Sequence, residues 1–217
     1  MLNLPLYDLP TRSASGFIIR YVLPRTLPPQ LIGPSDRRQP FQVLTIGDVI
    51  IGVGHGDAAE FCGHNDQVIL DIHSIPDVKG KVVVLISCQT ARELGPALID
   101  AGASSYIGFK EDLVWVMDSD LASSPWSDAL GATVMIPITN CVNTVMDGKT
   151  TGKAFSVLIE GLSRNAEVEE DELIRSCILF NKQNAVLLGD DRATIRARLP
   201  LALPFKMVPP PPLLPIF

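Results

Sequence analysis

A chain of 217 residues, 47% hydrophobic and with a mean hydropathy of +0.26, has the material for one well-buried globular domain and argues against disorder. Its formal net charge of −6, from 18 basic and 24 acidic residues, argues against a surface that binds nucleic acid irrespective of sequence. No basic run exceeds Arg37-Arg38, so nucleic acid is not an expected partner.

Proline removes a backbone donor and fixes φ, which keeps it out of the interior of packed strands and helices. Seven of the 18 prolines fall in residues 1–40 and seven in 200–215. The regular domain is therefore expected over 41–198, between a proline-rich N-terminal arm (1–40) and an apolar, proline-rich C-terminal tail (199–217). Within the arm, Phe17-Ile18-Ile19-Arg20-Tyr21-Val22-Leu23 reads as a strand. Further strands are predicted near 42–46, 49–54, 68–72, 82–87, 104–109, 133–136 and 185–188. Helices are predicted near 91–101, 139–147, 151–163 and 168–180. Thr90 suits the N-cap of the first and Gly102 its C′ position. The last opens on Glu169-Glu170-Asp171-Glu172, with Val168, Leu173, Ile174, Cys177 and Ile178 as its expected buried face. Alternating strands and helices predict an α/β layered sheet, mostly parallel, with helices on both faces.

Two of the strands break off at a reactive side chain. Val49-Ile50-Ile51-Gly52-Val53-Gly54 runs into His55-Gly56-Asp57, and Val82-Val83-Val84-Leu85-Ile86-Ser87 into Cys88-Gln89-Thr90. Continuous apolar, β-branched runs read as buried parallel strands, and ligand sites lie off the carboxyl ends of such strands. An imidazole and a thiol delivered to one rim form the skeleton of a cysteine nucleophile with a histidine base. A helix N-terminus just after Cys88 would lower its thiol pKa. His55 would deprotonate the thiol or protonate the leaving amine. Gly56 has no side chain, so a substrate carbonyl can approach its backbone.

His-Gly closing one apolar strand and Cys closing the next resembles the caspase-like cysteine peptidases. The run from Ser87-Cys88-Gln89-Thr90 through Asp100-Ala101-Gly102-Ala103 to Tyr106-Ile107-Gly108 is similar to the gingipain and CHAT pattern of a helix and a Gly-Ala turn. Asn181 and Ala185-Val186-Leu187-Leu188-Gly189-Asp190 resemble the closing strand and turn of the gingipain-like branch. The resemblance covers roughly residues 43–196 and implies a caspase-like fold and hydrolysis of peptide bonds by Cys88 with His55. It also implies an oxyanion hole made by the amides of Gly56 and Cys88. The chain departs from the family in its proline-rich segment before residue 41, where relatives usually place complete βα units. A trimmed sheet, and activity that needs a partner or processing, are the corresponding expectations.

Loop residues on the same sheet edge are the candidates for substrate binding: Asp57, Glu111, Asp112 and Trp115. In several members of the clan an acid in a pocket wall selects a basic side chain, a role open to Glu111 or Asp112. The other reading is a run of solvated loop charges. Asp57 either orients the imidazole or caps a turn. His55, Cys62, His64 and His73 lack the paired spacing of a zinc site, so no metal is expected. Gly148-Lys149-Thr150-Thr151-Gly152-Lys153-Ala154 is one residue short of a phosphate loop, and no cofactor is expected.

Residues 1–8 lack a basic segment and are broken by proline, so they do not read as a secretory signal. No apolar stretch free of charge and proline approaches ~18 residues, so no membrane association is expected. Cys62, Cys88, Cys141 and Cys177 then read as reduced thiols in a cytoplasmic protein, Cys141 and Cys177 as core residues. The expected partner is a peptide or protein substrate, and the proline-rich ends suit docking to a second copy or another protein. The alternative function is a non-catalytic interaction or scaffold module on the same fold.

Overall fold

The computed structural model describes residues 1–25, 30–35 and 47–195. The expected strand at 42–46 and the tail at 199–217 lie outside the described residues. The chain begins with strand β1 (Leu2–Leu4), helix α1 (Leu9–Tyr21), β2 (Gln30–Ile32) and β3 (Val49–Val53). A hairpin follows, β4 (Glu60–Cys62) and β5 (Val68–Asp71), then β6 (Val82–Ile86), α2 (Leu94–Asp100) and β7 (Ser105–Phe109). Three helices, α3 (Ala129–Met146), α4 (Thr151–Val168) and α5 (Glu172–Asn184), lead into β8 (Ala185–Gly189).

The fold is mixed α/β. Six strands form one sheet in the order β2-β1-β3-β6-β7-β8, all parallel except β8, which runs antiparallel to β7. β3, β6 and β7 are buried at every position; the apolar, β-branched runs of β3 and β6 suit strands covered on both faces. Alternation across the pleat sends Val82, Val84 and Ile86 into a core shared with α1, α3, α4 and α5. Val83 and Leu85 face the opposite core, closed by Phe61, Ile69 and Leu70 of the hairpin and Leu94 and Leu98 of α2. Helices therefore cover both faces.

The strand expected over 17–23 is instead the C-terminal half of α1. Asp8 caps this helix, accepting from the Thr11 N–H at 2.9 Å, and Pro10 sits in its first turn. Ala14, Phe17 and Ile18 then recur at helical spacing and are all buried, which outweighs the β-branched character of Ile18-Ile19. Nor is the N-terminal segment only an arm. β1 lies between β2 and β3 with Leu2 and Leu4 in the core; Pro5 directly follows β1 and Pro10 sits in the first turn of α1.

The strand expected at 133–136 lies inside α3. Asp128 caps that helix by accepting from the Leu130 N–H at 2.9 Å, and Val134, Ile138, Cys141, Val142 and Val145 form its buried stripe. Pro137 is accommodated beside Gly161 of α4, where an added Cβ would lie 3.0 Å from the Pro137 ring. By length and composition α3 could cross a membrane, yet half of its residues are buried within the fold against α1, α4 and α5. The helix expected at 168–180 starts later, at Glu172, capped by Asp171. Its buried face is Ile174, Ile178 and Asn181, while Val168 and Leu173 are exposed and Cys177 is half-buried.

Candidate active site

Three neighbouring parallel strands, β1, β3 and β6, end at one edge of the sheet. β3 and β6 are in register through Val53 and Ile86, and His55 and Cys88 each stand two residues beyond that pair. On the other side of β3, the chain leaves β1 at Leu4 and reaches Asp8 at the start of α1. His55 Nε2 lies 2.6 Å from Asp8 Oδ2. This contact was not anticipated from the sequence, although Asp8, Pro10 and Thr11 together form a helix-start signature that places a carboxylate just past β1. Burial alone would push the Asp8 carboxyl up. Hydrogen bonds from Thr11 and His55 more than offset it and hold the group below its usual range.

The Gly54-His55-Gly56 turn is closely packed. A Cβ on Gly54 would lie 2.1 Å from the Cys62 carbonyl oxygen, and one on Gly56 would lie 2.5 Å from Ser87 Oγ. Tyr7 sets its ring edge-on against both His55 and His64, at centroid distances of 6.1 and 5.3 Å. Ser87 Oγ is buried without a hydrogen-bond partner among the described residues. Neither the Gly56 nor the Cys88 N–H donates a hydrogen bond among the described residues.

Cys88 sits in a tight turn whose next residue, Gln89, has φ of +56°. Two bonds sew that turn to the loop after β7: Gln89 N–H donates to Glu111 O at 3.1 Å, and Gln89 Nε2 to Asp112 Oδ1 at 2.8 Å. The helix expected from residue 91 begins only at Leu94, after Glu93, and Thr90 accepts from the Tyr106 hydroxyl instead of capping it. Cys88 is thus not at a helix N-terminus, and the expected lowering of its pKa is corrected. Burial pushes the thiol up, as does the negative charge of Asp112, while a hydrogen bond from the Leu113 N–H works against them.

His55 and Cys88 line one cavity of about 340 Å³ between α1 and the segment 112–117. No hydrogen bond joins imidazole and thiol among the described residues. Asp112 and Trp115 also line this cavity; Asp57 and Glu111 do not. Asp57 caps a turn, accepting from the Ala59 and Glu60 N–H groups at 2.8 and 2.9 Å. Glu111 pairs with Arg92. His64 and His73 do not join His55 and Cys62: no cluster of three or more metal-ligating side chains occurs among the described residues.

One solved structure, described as that of a protease, is similar to this chain with a TM-score of 0.59 and 13% identity. The match covers 89% of this chain and 48% of the other, so this chain spans about half that protein's length. At such identity the likeness speaks to fold alone. No protein-family model and no curated protein matches the sequence.

Proposed function

We propose that this protein is a cysteine peptidase of caspase-like type, hydrolysing peptide bonds with Cys88 as nucleophile, His55 as base and acid, and Asp8 as the group that positions His55. The observation that carries the reading is the delivery of imidazole and thiol to one cavity by register-matched strands, with Asp8 fixing the ring. A mostly parallel sheet with helices on both faces suits the caspase-like assignment, and the structural likeness to a protease agrees with peptide-bond chemistry.

With Nε2–H donated to Asp8, the Nδ1 lone pair is the basic position of the ring. A neutral thiol needs such a base. Nδ1 takes the Cys88 proton as sulfur bonds to the substrate carbonyl carbon and the C=O electron pair moves to oxygen. The Gly56 and Cys88 amides, which donate to no group among the described residues, would hold that oxyanion, with the Ser87 hydroxyl beside Gly56. Collapse breaks the C–N bond, and the imidazolium gives its proton to the departing amine. Water, deprotonated by His55, then attacks the thioester carbonyl, releasing the acid and returning the proton to sulfur. Four free cysteines suit a reducing, cytoplasmic setting that keeps Cys88 competent.

The second reading, a non-catalytic interaction module, draws on the lack of an imidazole–thiol hydrogen bond and on the raised thiol pKa. An unfolded protein mixture analysed by mass spectrometry separates the two. The peptidase reading expects new termini with the wild-type protein and none with Cys88→Ala. Equal cleavage by both proteins would move the chemistry elsewhere, and cleavage by neither would favour the module.

A further inference from the structure

The cavity beside Cys88 carries information about the side chain it accepts. Its walls beyond the reactive pair are Pro10 and Ala14 from α1, Ile86 from β6, and Leu113, Trp115 and Met117 from the loop after β7. Most polar side chains around it are already engaged; the buried Ser87 hydroxyl, with no partner among the described residues, is the exception. The Trp115 indole N–H donates to Ser13 Oγ at 3.2 Å, and the Thr11 hydroxyl donates to Asp8 Oδ1 at 2.5 Å. The buried Asn181 side chain holds both backbone groups of Val114, accepting from its N–H at 3.0 Å and donating to its carbonyl at 2.5 Å. The one acid in the lining among the described residues, Asp112, accepts from Gln89 and bonds the thiol. It is solvent-exposed. Glu111, the other candidate selector of a basic side chain, is outside and paired with Arg92.

Resting on the peptidase reading, we infer that this cavity is the specificity pocket and that it selects an uncharged apolar side chain of leucine, methionine or phenylalanine size on the acyl side of the scissile bond. A volume of about 340 Å³ is at the small end for ligand pockets and suits one large side chain with its backbone. A lysine, arginine or aspartate there would lose water, and neither the single Ser87 hydroxyl nor Asp112, already engaged by Gln89, replaces that hydration. An apolar side chain loses nothing by entering and removes its surface from water.

Three peptidyl acyloxymethyl ketones, differing only in leucine, arginine or aspartate before the ketone, test this on the full chain. In each, the Cys88 sulfur displaces a carboxylate from the methylene carbon, and peptide mapping reads the adduct. The leucine probe should modify Cys88 at least about tenfold faster than the other two, the scale of discrimination a hydrophobic pocket provides. Arginine or aspartate probes reacting as fast at Cys88 would overturn the apolar pocket while leaving the nucleophile in place. Adducts from no probe would remove the peptidase reading, and this inference with it.

Discussion

Asp8 Oδ2 and His55 Nε2 stand 2.6 Å apart, joining the loop after β1 to the loop after β3 across 47 residues of chain. The contact sets the histidine tautomer and gives the helix cap a second role. Asp8→Asn keeps a capping oxygen but removes the charge, whereas Asp8→Ala loses both. Either should lower peptide cleavage by ~10²-fold or more, the scale of general acid–base catalysis. Only the alanine variant should also lose about 1 kcal/mol of stability through the missing cap. Turnover and urea midpoints of the two variants separate these effects.

The same carboxylate sets a pH dependence. Its folded pKa lies below the ordinary 3.8, so the native state favours the ionised form. The stability that this contributes is fully present above about pH 5 and is lost as pH falls through the depressed folded value. The acid limb of a stability curve should therefore be shallower in Asp8→Asn than in the wild type. Parallel acid limbs would show that Asp8 carries no such linkage.

His55→Ala and Cys88→Ala both change residues beyond strand ends, outside the hydrophobic clusters of the fold except for Cys88's partial packing. Each should abolish cleavage and leave the circular dichroism spectrum and cooperative unfolding unchanged. The double variant should be no worse than either single one, because the two groups act as a unit. An additive loss in the double variant would contradict a shared step.

Part of the sheet was legible in the sequence because β3 and β6 are short, β-branched apolar runs bounded by glycine and polar residues. Those same runs led to the expectation that His55 and Cys88 reach one sheet edge; the register itself came from the structure. What escaped was Asp8, since proline density in the first 40 residues suggests an extended arm, whereas Pro5 sits just beyond β1 and Pro10 in the first turn of α1. The β-branched runs at 17–19 and 133–136 read as strands locally, yet burial on one helical face decided their state. The thiol pKa was misjudged because Gln89 turns the chain sharply and delays α2 to Leu94.

Gly56→Ala is expected to damage both stability and function. The new Cβ would lie 2.5 Å from Ser87 Oγ, 2.7 Å from the Glu60 carbonyl oxygen and 2.8 Å from Thr90 Cγ2. Relieving that overlap should cost about 1–3 kcal/mol and move the amide proposed to hold the oxyanion. A denaturant midpoint equal to that of the wild type would show that the turn yields freely.

Asn181→Ala should strip the Val114 backbone of both partners and leave its polar groups unsatisfied beside the core. A loss of about 1–3 kcal/mol is expected. Because the pocket wall is then less firmly held, KM should rise more than kcat falls. A larger effect on kcat would place Asn181 closer to the chemistry than its contacts indicate.

The central claim is that His55 acts on the Cys88 thiol, and the alkylation rate of Cys88 at pH 7 reports on it most directly. Iodoacetamide kinetics with peptide mapping, compared between the wild type and His55→Ala, isolate the base from substrate binding. Because burial and Asp112 push the thiol pKa up, the account predicts at least ~10-fold slower alkylation of Cys88 without the imidazole. Equal rates in the two proteins would contradict it.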